Sequence, residues 1–422
     1  MNHVLTNRVG VKEAHTLAVY EKTGGYQSLQ KLFALKPPQV IEEVKNSGLR
    51  GRGGAGFSAG LKWSFVPQDS PKPKYLCVNA DESEPGTFKD RLLLEEDPHQ
   101  LVEGVIIACY AIQSHTAYIY LRGEFDLPTR RITEAVKEAY AKGYLGKKTS
   151  YPLDVYIHRG AGAYICGEET GLLNSLEGKK GEPRIKPPFP AIVGLFGCPT
   201  VVNNVETLAA LPFIIQNGAA AYRKFGTEKS PGTKMFCVSG HVVKPGNYEL
   251  PMGYPLKDLI YKECGGIPGG KKLKAVIPGG SSMPILSAQD VETVTLDYES
   301  MVAHGSMLGS GGVIVMNEDV DMVWALRNLS RFYAHESCGQ CTPCREGTGW
   351  IDKILIRILN QGGEEKDLSL LNEISDNMIG KTICVLADSI AMPVISYLKK
   401  FPEDFKKYMP SRGIPLPKVR VL

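Results

Sequence analysis

The alternation between Lys74 and His158 limits the fold most. Residues 74–79 (KYLCVN), 117–122 (AYIYLR) and 153–158 (LDVYIH) are short apolar and β-branched runs of strand character. Helical periodicity separates them: Leu101, Val102, Val105, Ile106 and Cys109 recur at helical steps over Pro98–Ile112, and Ile132, Ala135, Val136 and Ala139 do so over Leu127–Ala141. Strand, helix, strand, helix, strand specifies a parallel sheet with right-handed crossovers, an α/β unit. Ahead of it, Gln39–Phe57 reads as a helix ending in a glycine-rich loop.

After about residue 230 the texture changes. Lys234–Gly240 (KMFCVSG), Gly246–Glu249 and Leu273–Ile277 (LKAVI) are short strands among Gly/Pro turns, with a helix near Leu256–Cys264, which describes a small α+β unit. From Val320 onward helices dominate. One stripe runs through Ile351, Ile354, Leu355, Ile358 and Leu359 to Gly362–Gly363, and another through Ile390, Ala391, Val394, Ile395 and Leu398. Three parts follow: residues 1–230, 231–319 and 320–422. A chain of 422 residues is long enough for two to four domains.

Composition narrows the function classes. With 43% apolar and 22% charged residues and a net charge of +4, the chain reads as soluble and globular, and nucleic-acid binding is disfavoured. The longest apolar run, Val105–Ile112, is far short of the roughly 18–20 residues of a membrane span. The opening MNHVLTNRVG has no basic-then-apolar signal segment, so the ten cysteines are expected in a reducing compartment.

Three of those cysteines crowd into Ser337–Gly347, SCGQCTPCREG, as Cys338, Cys341 and Cys344; Cys384 follows in GKTICVLADS, between two helical stripes. A helix hairpin can bring such positions together. Three clustered thiols and one distant one suit an iron–sulfur cube, with structural zinc as the alternative. The other six, Cys77, Cys109, Cys166, Cys198, Cys237 and Cys264, sit singly in apolar contexts and read as buried small hydrophobes. His335 precedes the motif and could tune or ligate a cluster, or simply be solvated.

Arg50–Gly60, RGRGGAGFSAG, holds five glycines, which let backbone N–H groups approach a phosphate or a flat ring. The spacing matches neither a P-loop nor the strand-first dinucleotide fingerprint. Two acidic strips follow predicted strands. VNADESEPGT carries Asp81, Glu82 and Glu84 with Ser83 between them, and GAYICGEETG carries Glu168 and Glu169 at a helix start. Ligands of open parallel sheets bind outside the carboxyl ends of the strands, where carboxylates suit ribose hydroxyls and amides. A metal site, or a helix-dipole role for Glu168 and Glu169, is the competing reading. Asn203 and Asn204 in TVVNNVET could hydrogen-bond a heterocycle or cap a helix.

Taken in order, RGRGGAGF…GLKWSF, NADESEPGT, GAGAYICGEETGLLNSLEGKKGEPRIKPPFP, VVNNVET and SCGQCTPCREG with ICVLADS resemble the NADH-binding flavoprotein subunits of respiratory complex I, NADH:quinone oxidoreductase, over about residues 30 to 405. The resemblance implies a Rossmann-like FMN and NADH domain, a ubiquitin-like β-grasp domain and a helical bundle holding a 4Fe–4S cluster. It implies FMN on Gly51, Gly53, Gly54, Lys62, Asn79, Asp81, Gly167, Asn203 and Asn204. The nicotinamide would lie near Glu82, Glu84, Glu168 and Glu169, the adenine against Phe57, Phe65 and Phe189, and the phosphates near Lys186. Cys338, Cys341, Cys344 and Cys384 would hold the cluster.

The implied chemistry is hydride transfer from NADH to FMN, then single-electron transfer to the cluster and on towards quinone. A carboxylate at Glu169 near a ribose would repel the 2′-phosphate of NADPH, with Glu84 the next residue to suspect. A stable partner is expected, a small thioredoxin-like subunit with a 2Fe–2S cluster, alongside further subunits of the peripheral arm of complex I. That assembly would sit on the cytoplasmic side of the inner membrane. Two other readings stand beside this one: a zinc-stabilised nucleotide-binding module, and the diaphorase subunit of an NAD-linked hydrogenase or formate dehydrogenase. The latter often carry extra terminal ferredoxin-like or thioredoxin-like segments, and the lack of them here favours complex I.

Overall fold

A computed structural model describes residues 3–409. The first long helix, α1 (Pro37–Ser47), starts with its own proline pair and stops at Gly48, which takes the left-handed conformation usual after a helix end. The glycine loop follows, and the short helix α2 (Ala59–Ser64) is capped by Ser58, whose hydroxyl accepts from Leu61 N. The alternation then unfolds as β1 (Tyr75–Ala80), α3 (Lys89–Glu96), α4 (Pro98–Ile112), β2 (Thr116–Leu121), α5 (Asp126–Lys142) and β3 (Asp154–Arg159). Beyond it come α6 (Glu169–Leu176), β4 (Thr200–Asn204) and α7 (Val205–Ala209). Each predicted strand of this region lies within a residue of its expected place.

All four strands are parallel, in the order β3-β2-β1-β4. The chain builds outward from β1 to β3 and then returns to the other side of β1, so β1 and β4 flank a topological switch point. β4 was not among the expected strands: TVVNN is short and ends in two amides, and it is a strand because it pairs with β1, Tyr75 to Thr200 through Asn79 to Asn204. The sheet separates two cores. Leu76, Val78, Ala80, Ala117, Ile119, Leu121 and Val201 share a core with α4, which is buried along nearly its whole length and is apolar apart from His99, Gln100 and Glu103. Cys77, Tyr120 and Val202 point the other way, into a core shared with the C-terminal helices.

The second sheet comprises β5 (Thr233–Gly240), β6 (Gly246–Pro251), β7 (Leu273–Ile277), β8 (Leu286–Ser287) and β9 (Gly312–Asn317), ordered β6-β5-β9-β7-β8. It is mixed: β5 and β9 run parallel at its centre, and the other neighbours are antiparallel. β8 and β9 were not anticipated. β9 (GVIVMN) is a continuous apolar run, which periodicity does not separate from buried helix. One face, with Phe236, Val238, Val276, Val313 and Val315, closes its own core, while Ala275, Ile277 and Met316 join the bundle core.

The bundle consists of α8 (Met322–Glu336), α9 (Thr342–Arg357), α10 (Glu365–Met378) and α11 (Leu386–Lys400). Both predicted stripes supply its interior, with Ile351, Leu355, Ile358, Ile390, Ala391 and Val394 buried. Among the described residues no helix is long and apolar enough to cross a membrane.

Candidate flavin, nucleotide and iron–sulfur site

The carboxyl ends of β1 and β4 collect side chains that are far apart in sequence. Asn79, on β1, donates its amide to Gly167 O at 2.8 Å, which ties the first acidic strip to the loop ahead of α6. A Cβ on Gly167 would lie 3.3 Å from Asp81 Oδ2, so only glycine lets this loop settle against Asp81 without adjustment. Ser83 donates to the same carboxylate at 3.0 Å. Burial, only partly offset by that hydrogen bond, pushes Asp81 up to about 7.

On the β4 side, Asn203 accepts from the buried indole of Trp63 at 2.8 Å, and Asn204 caps α7 by accepting from Glu206 N at 3.0 Å. Asn204 is held from below by a buried charge network. Its amide donates to Asp90 at 2.6 Å, while Lys89 bridges Asp90 at 2.8 Å and Glu206 at 2.9 Å. Gly53 packs directly on it, since a Cβ there would lie 3.1 Å from Asn204 Cβ. Gly51 has backbone within ordinary contact range of an added Cβ. Gly54 differs: φ is +142°, and an added Cβ would meet nothing within 4 Å. At Gly54 the loop therefore turns bare backbone toward open space, where a flat ring or phosphate can approach.

Charges meet above that surface. Lys62 reaches from α2 to Glu169 at 2.8 Å and to Val202 O at 2.9 Å; Lys186 spans Glu168 at 3.0 Å and Glu169 at 3.3 Å. Burial opposes ionisation of Glu169, but the two lysines outweigh it and hold the carboxyl below its usual value. Glu168 also performs the helix-start role, accepting from Thr170 N at 2.8 Å and Gly171 N at 2.9 Å. Glu82 is held at the start of α3: its carboxylate accepts from Asp90 N at 2.8 Å and Arg91 N at 2.9 Å, and burial with the nearby Asp90 pushes it up to about 7. Glu84 is engaged by Tyr164 and by Ser281 and Ser282 of the second sheet's loops. Phe57, Phe65 and Phe189 are exposed by 50%, 50% and 58%, and Phe57 and Phe65 lie 6.2 Å apart, leaving apolar faces to stack on a base.

The cysteine motif sits where α8 gives way to α9. Cys341 precedes α9, Cys344 lies in its first turn, and Cys384 stands just ahead of α11. The two loops touch: Ile383 N lies 3.4 Å from Cys341 Sγ, and Cys344 Sγ lies 3.2 Å from Ser337 Oγ. Among the described residues no three His, Cys, Asp or Glu side chains are grouped to hold a single metal ion. Three thiols at C-x2-C-x2-C with a fourth on the touching loop are a donor set that fits a 4Fe–4S cluster, each thiolate serving one iron. His335 is exposed on the last turn of α8. The other six cysteines are buried and free, as expected.

This cysteine loop abuts the segment that carries the second acidic strip. Glu336, two residues before Cys338, accepts from Tyr164 N at 3.0 Å, and Lys180 donates to Cys338 O at 3.3 Å. Tyr164, Ser281, Ser282 and Tyr333 were missed by sequence reasoning; Tyr164 lies inside the GAYICGEETG strip, but nothing local marks the others.

Comparison with known proteins agrees with this arrangement. The Nuo51 FMN-binding domain matches residues 44–213, the SLBB domain 234–316, and the iron-sulfur binding region of NADH-ubiquinone oxidoreductase-F 324–408. The NADH-quinone oxidoreductase F 2 subunit of Rhizobium meliloti is 51% identical over 416 residues, 98% of this chain and 99% of that one. The F subunit of the Mycobacterium bovis enzyme is 51% identical over 413 residues, 96% of this chain and 92% of that one. Among solved structures, an NAD+-reducing [NiFe]-hydrogenase in the H2-reduced state matches with a TM-score of 0.83 at 38% identity, and the air-oxidised form with 0.84 at 37%. This chain spans 64% and 69% of those hydrogenase chains and 90% and 99% of its own length. With half its residues shared along nearly the full length of such relatives, the chain belongs to the family of NADH-quinone oxidoreductase F subunits.

Proposed function

We propose that this chain is the electron-input subunit of an NADH:quinone oxidoreductase, taking electrons from NADH and passing them one at a time to a partner. The observation that carries the reading is adjacency: the segment carrying the second acidic strip touches the four-cysteine loop, at Tyr164–Glu336 and at Lys180–Cys338. When bound, FMN supplies a two-electron acceptor for the hydride of NADH, and a 4Fe–4S cluster supplies a one-electron exit. The residues here do the positioning. The Gly51–Gly54 backbone with Asn79, Asp81, Asn203 and Asn204 cradles the flavin; Phe57, Phe65 and Phe189 stack on the adenine; Lys186 meets the phosphates. Glu84, Glu168 and Glu169 accept hydrogen bonds from amide and hydroxyl groups of the nucleotide. Glu82 acts one step back, by fixing the start of α3 against the acidic strip. Cys338, Cys341, Cys344 and Cys384 hold the cluster.

The three parts, residues 1–230, 231–319 and 320–422, are read as a Rossmann-like flavin and nucleotide domain, a β-grasp domain and the cluster-bearing bundle. The β6-β5-β9-β7-β8 order with parallel central strands supports the β-grasp reading. A small thioredoxin-like 2Fe–2S subunit is the proposed immediate partner, within a peripheral arm on the cytoplasmic side of a membrane. A diaphorase role in an NAD-linked hydrogenase is the second reading, favoured by the solved hydrogenase structures. Affinity purification from the native host decides between them: co-isolation of a 2Fe–2S chain and quinone-reducing subunits supports the first, and a nickel-containing chain supports the second.

A further inference from the structure

Glu84 stands where all three parts of the molecule meet. Its Oε2 accepts from Tyr164 OH at 2.6 Å. Its Oε1 accepts from Ser282 N at 2.7 Å, Ser282 Oγ at 2.7 Å and Ser281 Oγ at 3.2 Å. Tyr333, on α8 of the bundle, shares a hydrogen bond with Ser281 Oγ at 2.6 Å. Ser281 and Tyr333 are fully buried, and Ser282 nearly so.

The contact is built into the backbone as well. Gly280 has φ +99°, and a Cβ there would lie 2.5 Å from Glu84 Cγ, so the Gly279–Ser282 loop approaches the acidic strip only because it begins with glycine. Ser281 N then donates to Pro85 O at 3.1 Å, and Gly280 N to Gly312 O at 2.7 Å. Among the described residues no lysine or arginine forms an ion pair with Glu84. Neutral donors alone therefore support its charge, and burial raises its pKa in spite of them. Each donor aims one oxygen, and most of them come from outside the sheet that carries the cleft.

We propose that Ser282 and Tyr333 are positioning residues for nucleotide binding: through the Glu84 carboxylate, the second sheet and the bundle set the geometry of a site they do not line. This rests on the reading of Glu84 as a nucleotide contact. The test is a mutant cycle in the purified native complex, with NADH affinity, steady-state kcat and KM towards a soluble one-electron acceptor, and flavin content measured for each variant. Ser282→Ala should raise KM and Kd for NADH about tenfold with kcat and flavin content held, the loss expected for one hydrogen bond to a charged group. Ser282→Thr, which keeps the hydroxyl, should restore affinity, and Tyr333→Phe should give a smaller rise. In a Glu84→Gln background both effects should collapse, because the group being positioned has lost its charge. If Glu84→Gln weakens NADH binding while Ser282→Ala and Tyr333→Phe do not, the positioning role is wrong. If Glu84→Gln itself leaves NADH binding unchanged, the underlying reading of Glu84 fails and the proposal with it. A loss of affinity that persists undiminished in the Glu84→Gln background also overturns it.

Discussion

Lys62 Nζ lies 2.8 Å from one oxygen of Glu169, and Lys186 Nζ lies 3.3 Å from the other. The carboxylate is ionised but neutralised by its neighbours, which changes how it would discriminate between NADH and NADPH. Bare repulsion of a 2′-phosphate, the expectation from sequence, is weakened when two cations stand beside the carboxylate. Glu169 instead keeps Lys62 occupied and shares Lys186 with Glu168.

Glu169→Gln should therefore raise kcat/KM for NADPH by releasing Lys62 to bind phosphate, while Glu168 still pairs with Lys186 at 3.0 Å. A charge-assisted hydrogen bond contributes about 1.5–3 kcal/mol, so the gain is roughly 10- to 100-fold. It should shrink as salt rises. Steady-state kinetics with both nucleotides at two ionic strengths checks this, and an unchanged NADPH/NADH ratio would move attention to Glu84.

Cys384→Ala should abolish or convert the 4Fe–4S signal in electron paramagnetic resonance while leaving flavin content intact. Cys384 stands on the loop before α11, whereas every proposed flavin contact lies on the glycine loop or on the first sheet and its loops. An unaltered signal would show that another residue completes the set.

Asp81 gives a pH dependence with a definite sign. Burial raises its folded-state value to about 7, from an unfolded value of about 4. A carboxyl raised on folding contributes its full share below the unfolded value and loses it as pH climbs through the folded one. In flavin-depleted protein, Asp81→Asn should match the parent Tm near pH 4, gain on it between about pH 4 and 7, and hold the gain above. Thermal unfolding across that range is the measurement; a gap independent of pH contradicts the assignment.

Glu249, on β6, anchors the N-terminal segment. Its buried carboxylate accepts from Val4 N at 2.7 Å, Leu5 N at 3.0 Å, Thr6 N at 2.9 Å, Thr6 Oγ1 at 2.8 Å and Thr233 Oγ1 at 2.7 Å. Glu249→Gln sets an amide donor against donors and should cost about 1–3 kcal/mol, read by urea unfolding. Faster limited proteolysis ahead of Leu17 should accompany it.

What sequence could tell followed from range. β1, β2, β3, α4 and α5 carry their signal within a window of a few residues, as do the stripes through Ile351 and Ile390, whereas the short α3 was not anticipated. β4 and β9 are strands because of their neighbours, and only the fold reveals β1 and β4 as a switch point. Within the site, residue types were legible but their uses were not. Glu82 and Glu84 are two residues apart in NADESEPGT, yet one fixes a helix start and the other reaches across to Ser282. Lys89, Glu206 and Lys234 form a buried charge cluster under Asn204 although no local pattern distinguishes them from surface charges.

The most direct test of the account is an anaerobic NADH titration of the purified chain, combined with flavin, iron, sulfide and zinc analysis. About one non-covalent FMN, four irons and four acid-labile sulfides are expected per chain. NADH should bleach the flavin absorbance, and a 4Fe–4S resonance should follow. Stoichiometric zinc in place of iron, or a flavin that NADH leaves oxidised, would contradict it.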